Sequence, residues 1–202
     1  MFDMNDFRRP ILKESRKGLA TRIFRPYELD RILSYGCLKL YHKTMFLALL
    51  YSGMRYVELQ RFQKHPEWYS RSDGFIHLPS YKASRKHKRK QPDRWVRLNN
   101  QGKQAVEYFL DLDRPLPDYN GWNANLKCWC KRAELDSAGV SVKTTRKTWE
   151  SWLLFTFPTR VLDIVGSQGH TTTVSIQHYC NMPFTEEDKV GIKRYTEGWI
   201  NG

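Results

Sequence analysis

The sequence predicts a mainly α domain with one small antiparallel β-sheet, an α+β fold. Three observations carry that reading. Apolar residues recur at helical spacing through most of the chain. One stretch near 72–98 reads as two strands with a turn ahead of the first. No internal repeat or low-complexity tract breaks the pattern. With 202 residues, 40% of them hydrophobic, the chain can build one sizeable core.

Residues 1–22 are polar and basic, with Arg8-Arg9-Pro10 and the run from Lys13 to Lys17, and are read as an arm or linker. Arg25-Pro26-Tyr27-Glu28-Leu29 opens a helix with proline in its first turn, and Leu29, Ile32 and Leu33 continue it. A second helix spans roughly 41–52 and ends at Ser52-Gly53. A third carries Tyr56, Val57, Leu59 and Phe62 and stops at Pro66. Ser72-Asp73-Gly74 is a turn. Phe75-Ile76-His77-Leu78 reads as a strand and Arg94-Trp95-Val96-Arg97-Leu98 as its partner, with a strongly cationic hairpin from Tyr81 to Lys90 between them. Asn100 is read as the cap of a helix to about 111. Pro115 and Pro117 break the chain, and helices follow near 121–134, 144–156, 159–167, 173–180 and 186–198. In the last of these, Thr185 followed by acidic residues starts the helix, and Ile192, Tyr195 and Trp199 form one apolar face. Gly191 lies awkwardly inside it. Packing on its own domain and docking on a neighbouring protomer are both open for that face.

Composition narrows the class. Thirty-four Lys and Arg against 21 Asp and Glu leave a net charge of +13, an excess that favours a polyanionic partner through counterion release. The charge is not gathered on an amphipathic helix, which argues against an acidic membrane surface. No apolar run approaches the roughly 20 residues that cross a bilayer, and the first residues lack a basic-then-apolar signal pattern, so the expected location is the cytoplasm. Of Cys37, Cys128, Cys130 and Cys180, only Cys128 and Cys130 lie close in sequence. Two apart on a helix, they diverge, so reduced thiols rather than a metal site are expected.

Four residues suit attack of a phenol on a phosphodiester. Arg55 follows the Gly53 turn at a helix start, where the helix dipole disfavours a cation but an anion would be welcome. Glu58, three residues on, can hold its guanidinium; a plain surface pair is the alternative. Arg146 lies in Val142-Lys143-Thr144-Thr145-Arg146-Lys147-Thr148-Trp149, where Lys143 and Arg146 share a helical face and Trp149, Trp152, Leu153 and Phe155 indicate a largely buried helix; a solvated basic face at a helix start is the alternative. Two fixed guanidiniums can hold the non-bridging oxygens of a phosphate. Tyr179 follows His170 by nine positions. Taken alone that tyrosine reads as core; in company with Arg55, Arg146 and His170 it reads as a nucleophile.

These segments resemble the catalytic domain of the tyrosine recombinase (phage integrase) family. Gly53-Met54-Arg55-Tyr56-Val57-Glu58-Leu59 is similar to that family's Gly-Leu-Arg-x-x-Glu-Leu box. Lys143-Thr144-Thr145-Arg146 resembles its His-x-x-Arg box, and Gly169-His170 the pair that precedes the nucleophile. Ile76-His77-Leu78 followed by Lys82 resembles the strand-then-lysine segment of the phage recombinase Cre. The motifs run in order from about Arg25 to Tyr179, and the texture is most similar to archaeal members. The resemblance implies a tyrosine recombinase catalytic-domain-like fold and a site-specific recombinase, the integrase of a mobile element. Arg55 and Arg146 would clamp the scissile phosphate and Tyr179 would form a 3′-phosphotyrosyl bond. Lys82 would protonate the leaving 5′ oxygen, with Lys86 the second choice. His170 would donate to a phosphate oxygen, and no metal or other cofactor would be needed. His77 and His178 are read as structural.

The family usually has histidine where Lys143 stands. Lysine can hold a phosphate as a point charge but is a poor base unless its pKa is lowered, so a shifted pH optimum is expected. Arg85, Lys86, Lys88, Arg89, Lys90 and Lys147 are the expected contacts to the DNA backbone. The implied partners are double-stranded DNA and further copies of the chain, as a dimer or tetramer on DNA. Three units are expected: the arm 1–22, the catalytic domain 23–184 and the C-terminal helix 185–202. The family carries a separate helical domain ahead of the catalytic one, so this is either a minimal protein, with weak and salt-sensitive binding, or a piece of a longer one. Two rival readings keep the fold: a DNA-binding protein that has lost cleavage, and a type IB topoisomerase-like relaxase.

Overall fold

Helix α2 (Leu40–Ser52) is the pillar of the domain, and its composition says why. Met45, Phe46, Ala48, Leu49 and Leu50 are all buried, so the helix is apolar around most of its circumference, as a helix enclosed by others must be. A computed structural model describes residues 22–34, 36, 38–82, 90–169 and 183–200, with Lys82 and Lys90 described by their backbone alone.

Around α2 the described elements run α1 (Pro26–Ser34), α2, α3 (Tyr56–Gln63), a 3₁₀ turn (Pro66–Trp68), β1 (Tyr69–Ser70), β2 (Phe75–Leu78), β3 (Tyr81–Lys82), β4 (Lys90–Gln91), β5 (Arg94–Arg97), α4 (Asn100–Leu110), α5 (Tyr119–Arg132), α6 (Thr144–Thr156), a second 3₁₀ turn (Pro158–Arg160), α7 (Val161–Gln168) and α8 (Glu186–Thr196). The mainly helical α+β class is as expected. Helices α4 and α6 flank α2, and α7 lies against β5 and α6. None of the described helices is long and apolar enough to cross a membrane.

The predicted strand pair forms in antiparallel register, with Phe75 opposite Arg97, Ile76 opposite Val96, His77 opposite Trp95 and Leu78 opposite Arg94. Ile76, Leu78, Val96 and Arg94 face the core, and Trp95 faces solvent. The sheet is larger than expected. Strand β1 adds a third strand at the edge of β2, and β3 pairs with β4 as a separate two-stranded ribbon at the base of the cationic hairpin. His77, expected to be structural, stacks on Trp95 at 4.5 Å and pairs with Asp93 at 2.9 Å.

Several boundaries move, two of them for a capping reason. The cap of α4 is Asn99, not Asn100: its side chain accepts from Gly102 N at 2.8 Å, and its amide donates to the carbonyls of Tyr195 at 2.9 Å and Glu197 at 3.0 Å. One buried asparagine therefore starts α4 and fastens the end of α8. Asp118 caps α5 by accepting from Gly121 N at 2.7 Å, which starts that helix at Tyr119 rather than 121. The expected helix at 159–167 divides into a 3₁₀ turn and α7. The expected helix at 173–180 lies outside the described residues, as do Cys37 and Cys180. Cys128 is exposed and Cys130 buried, both as free thiols.

The C-terminal helix packs on the chain's own domain. Ile192, Tyr195 and Trp199 are buried, and α8 lies against α1 and α6. A capping box of Thr185 and Asp188 starts it, and Asp188 also takes Arg25 at 2.6 Å. Gly191, awkward for a helix in sequence, is explained by the packing. A β-carbon there would meet Pro26 Cβ at 2.5 Å, so glycine lets α8 approach α1 closely.

Gly191→Ala is expected to destabilise the domain by about 1–3 kcal/mol through overpacking. Gly166, exposed within α7 with nothing within 4 Å of an added β-carbon, predicts the opposite sign. Gly166→Ala should stabilise by about 0.4–1 kcal/mol. Urea denaturation of the two variants beside the parent checks both signs.

Candidate active site

The sequence places Arg55 at the entrance of α3, and local geometry fixes it there. Helix α2 ends at Gly53, in the left-handed region at φ 59°, with its N–H returned to Leu50 O. The chain then turns, and Arg55 becomes the N-cap of α3. Glu58, one turn in, reaches back: one carboxylate oxygen accepts from Arg55 N at 2.8 Å and the other from Arg55 Nη1 at 2.7 Å. The expected i,i+3 contact is present, but it is no surface pair, since Glu58 has no exposed surface and the Arg55 side chain is 29% exposed.

What keeps Glu58 ionised in the interior is Arg94, a residue the sequence reading assigned only to a strand. Arg94 Nη1 and Nη2 donate to the two oxygens of Glu58 at 2.9 and 2.6 Å, a bidentate pair, while its Nε donates to Ser167 O at 3.0 Å. Burial pushes the Glu58 carboxyl up, but Arg94's hydrogen bonds and charge, joined by the charges of Arg146 and Arg55, hold it down at about 2. A signal for Arg94 was available: Val96 and Leu98 lie on the core face of its strand, and a period of two puts Arg94 there with them.

Arg146 comes from the first turns of α6 and is 6% exposed. Its Nη1 donates to Gly53 O at 2.7 Å and its Nη2 to Gln168 O. Both acceptors stand at helix C-termini, of α2 and of α7, where unpaired carbonyls and the helix dipole favour a cation. Burial, with the nearby charge of Arg55, brings its guanidinium down to about 10, so it remains charged at neutral pH. Helix α7 ends at Gly169, also left-handed at φ 66°, where a β-carbon would meet Arg94 Cδ at 2.8 Å. Two glycine caps thus bring two helix ends and two arginines together.

The remaining candidates divide. Lys143 and Arg146, expected on one helical face, differ in depth: Arg146 is buried, whereas Lys143 is the exposed N-cap of α6, with its charge bearing on Lys147. Lys147 is half-buried, and burial followed by Lys143 lowers its amine. Lys82 and Lys90 are register partners in the ladder of β3 and β4. Tyr179, His170, His178, Arg85, Lys86, Lys88 and Arg89 lie outside the described residues. Among the described residues no group of three or more His, Cys, Asp or Glu is arranged to hold a metal ion.

Comparison with solved structures identifies the architecture. The chain matches the Tn1549 transposon integrase in complex with transposon right-end DNA with a TM-score of 0.63, at 17% identity over 86% of this chain and 65% of that one. XerA recombinase matches at 0.62, with 15% identity over 87% of this chain and 65% of that one. The integrase from mycobacterium phage Brujita matches at 0.55, with 16% identity over 86% and 57%. The fold is that of a tyrosine recombinase catalytic domain. The chain spans 65% of the length of the first two of these proteins. No family model matches the sequence, and no curated protein does.

Arg94→Leu is expected to cost about 3–5 kcal/mol, because it strands a buried carboxylate. The pH dependence has a definite sign. The Glu58 carboxyl sits at about 2 in the fold, below its ordinary value near 4.3. The stability it contributes is therefore complete above that ordinary value and is lost as pH falls towards 2. Urea midpoints at pH 7, 5 and 3 should fall on acidification, and Glu58→Gln should flatten that slope.

Proposed function

We propose that the chain is the catalytic domain of a site-specific DNA recombinase, an integrase acting through a 3′-phosphotyrosyl intermediate. One observation carries the reading: Arg55, Arg94 and Arg146 gather about a single hydrogen-bonded carboxylate, Glu58. Among the described residues, even with Glu150, whose charge also bears on Arg146, cations outnumber carboxylates at this cluster. A buried surplus of fixed positive charge is costly alone and is relieved by an anion. A phosphodiester fits, because guanidinium forks match its paired oxygens. The overall charge of +13 draws a polyanion to the same molecule. The integrase fold and the DNA in the Tn1549 complexes agree in kind.

In this reading Arg55, the more accessible guanidinium, meets the phosphate, while Arg146 is fixed behind it. The Tyr179 oxygen bonds to phosphorus as the bond to the 5′ oxygen breaks. The phenol gives up its proton to solvent water, and the leaving oxygen takes one from a hairpin lysine, read as Lys82. His170 donates to a non-bridging oxygen. The Arg pair stabilises charge in the transition state, and the covalent link conserves the bond for rejoining when a 5′ hydroxyl attacks in the reverse sense. Lys143, exposed at its helix start, and Lys147 serve as phosphate contacts. Arg85, Lys86, Lys88, Arg89 and Lys90 grip the backbone of the duplex. The functional unit is a dimer or tetramer on DNA, acting in the cytoplasm on a mobile element, and the subclass is archaeal.

A pool of nicked random-sequence duplexes tests this without a known target. DNA that stays attached to the protein in detergent should be recovered with the parent and lost with Tyr179→Phe, while both proteins retain DNA binding. Arg55→Ala should lower adduct formation by about 10²–10³-fold, the scale of one lost transition-state donor. Binding without any adduct, from any duplex, would favour a DNA-binding protein of this fold that does not cleave. Relaxation of supercoils with no recovered consensus would favour a topoisomerase-like activity.

A further inference from the structure

The base of the cationic hairpin is anchored by a residue that none of the roles above uses. Strands β3 and β4 pair through only Tyr81 with Gln91 and Lys82 with Lys90. A ribbon that short has little stability of its own, so contacts to the body of the domain must fix its position. Among the described residues, Tyr81 makes those contacts. Its hydroxyl donates to Glu58 Oε1 at 3.3 Å, and its ring lies under the guanidinium of Arg61, 4.3 Å from the ring centre. Arg61 also lies over Trp68 at 5.1 Å, and Trp68 stacks on His65 at 4.6 Å with planes 8° apart. A continuous stack therefore joins the end of α3 to the first residue of β3.

Glu58 does not need this fifth donor. A carboxylate has about four lone-pair sites, and Arg55 N, Arg55 Nη1, Arg94 Nη1 and Arg94 Nη2 already supply four shorter bonds. The Tyr81 bond is the longest of the five, so its beneficiary is the strand. Burial raises the Tyr81 phenol, which keeps it protonated and a donor.

We propose that Tyr81 is a positioning residue. Through Glu58 and Arg61 it holds the base of the hairpin against the arginine site, and so sets where the neighbouring Lys82 meets the departing 5′ oxygen. The proposal rests on the reading above that Lys82 is the general acid. In the cleavage step the phosphorus–oxygen bond breaks and the 5′ oxygen takes a proton from the lysine. If sulfur replaces that bridging oxygen, it leaves as a thiolate and needs no proton. A defect confined to proton delivery is therefore erased by sulfur. A defect in the arginine clamp is not, because phosphate charge must be stabilised in either case.

The test uses the full chain and the duplex recovered as a covalent adduct, made with oxygen or with sulfur at the bridging 5′ position. Single-turnover cleavage is measured for Tyr81→Leu, Tyr81→Phe and Lys82→Ala. Tyr81→Leu is expected to slow cleavage of the oxygen substrate by about 10–100-fold, the scale of a misplaced catalytic group, and to come within about threefold of the parent on sulfur. Tyr81→Phe keeps the ring over Arg61 and should lose less, up to about tenfold, with the same recovery on sulfur. Equal slowing of Tyr81→Leu on both substrates, or none on either, overturns the proposal. Recovery of Lys82→Ala on sulfur without recovery of Tyr81→Leu overturns the proposal alone. Failure of Lys82→Ala to recover removes the lysine assignment, and the proposal with it.

Discussion

A buried glutamate organises this domain. Glu58 has no exposure to water, and an isolated carboxylate there would cost several kcal/mol. It remains ionised because it is met by Arg94 in bidentate geometry and by the backbone and side chain of Arg55. Those contacts join elements that are distant in sequence. Glu58 belongs to α3 and Arg94 to β5, and Arg94 Nε ties both to the end of α7. The interaction is therefore poor evidence of large net stability, since apolar residues of similar volume could replace such a pair at little loss. What it supplies is placement: the orientation of Arg55 and the junction of α7 with the sheet both follow from it.

Arg146 solves the same problem by a different route. It is as deeply buried as Arg94, yet its recorded hydrogen bonds go to the carbonyls of Gly53 and Gln168 rather than to a carboxylate. Each carbonyl stands at the C-terminal end of a helix, where partial negative charge accumulates. Two helix ends are a diffuse counter-charge. They hold a guanidinium in place without neutralising it as a carboxylate in direct contact would. The left-handed caps make this possible. At Gly53 a β-carbon would meet the Gln168 amide at 2.4 Å, and at Gly169 it would meet Arg94. Glycine is required at both positions by conformation and by crowding together.

The sequence made the helical framework legible because α1 and α4 carry clear apolar periodicity and α2 is a nearly continuous apolar run. Arg55 and Arg146 were legible because each sits in a short segment with its own pattern. Arg94 was missed because charged residues in strands are ordinarily assigned to the wet face. Only the phase set by Val96 and Leu98 contradicts that default. Asn99 was missed by one position, since the distinction between neighbouring asparagines lies in which side chain reaches the amide three residues on. Tyr81 carried no local signal. Its importance comes from Arg61 and Glu58, which belong to α3, about 20 residues earlier in the chain. Lys143 was legible as a cation but not in its environment, because helical spacing fixes the angle around an axis and says nothing of how deeply each end of the helix is set.

The difference in depth between the two motif arginines bears on how such a site would work. Arg146 is held on its described sides by protein, so it has little freedom to reorient when an anion arrives. Arg55 keeps part of its side chain exposed while Glu58 grips its backbone and one end of its guanidinium. Under the proposed reading the pair would divide the work: a fixed charge would set the potential, and an accessible fork would make directional bonds. Preorganisation of this kind is effective because its cost is met during folding, before substrate binds. The same logic explains why a basic chain would place its least mobile cations around one carboxylate. Surface lysines raise the local concentration of a polyanion but impose no geometry on it. In that reading, guanidiniums locked by Glu58, Gly53 and Gln168 would impose the geometry, and the remaining positive charge of the chain would need only to bring a phosphate within their reach.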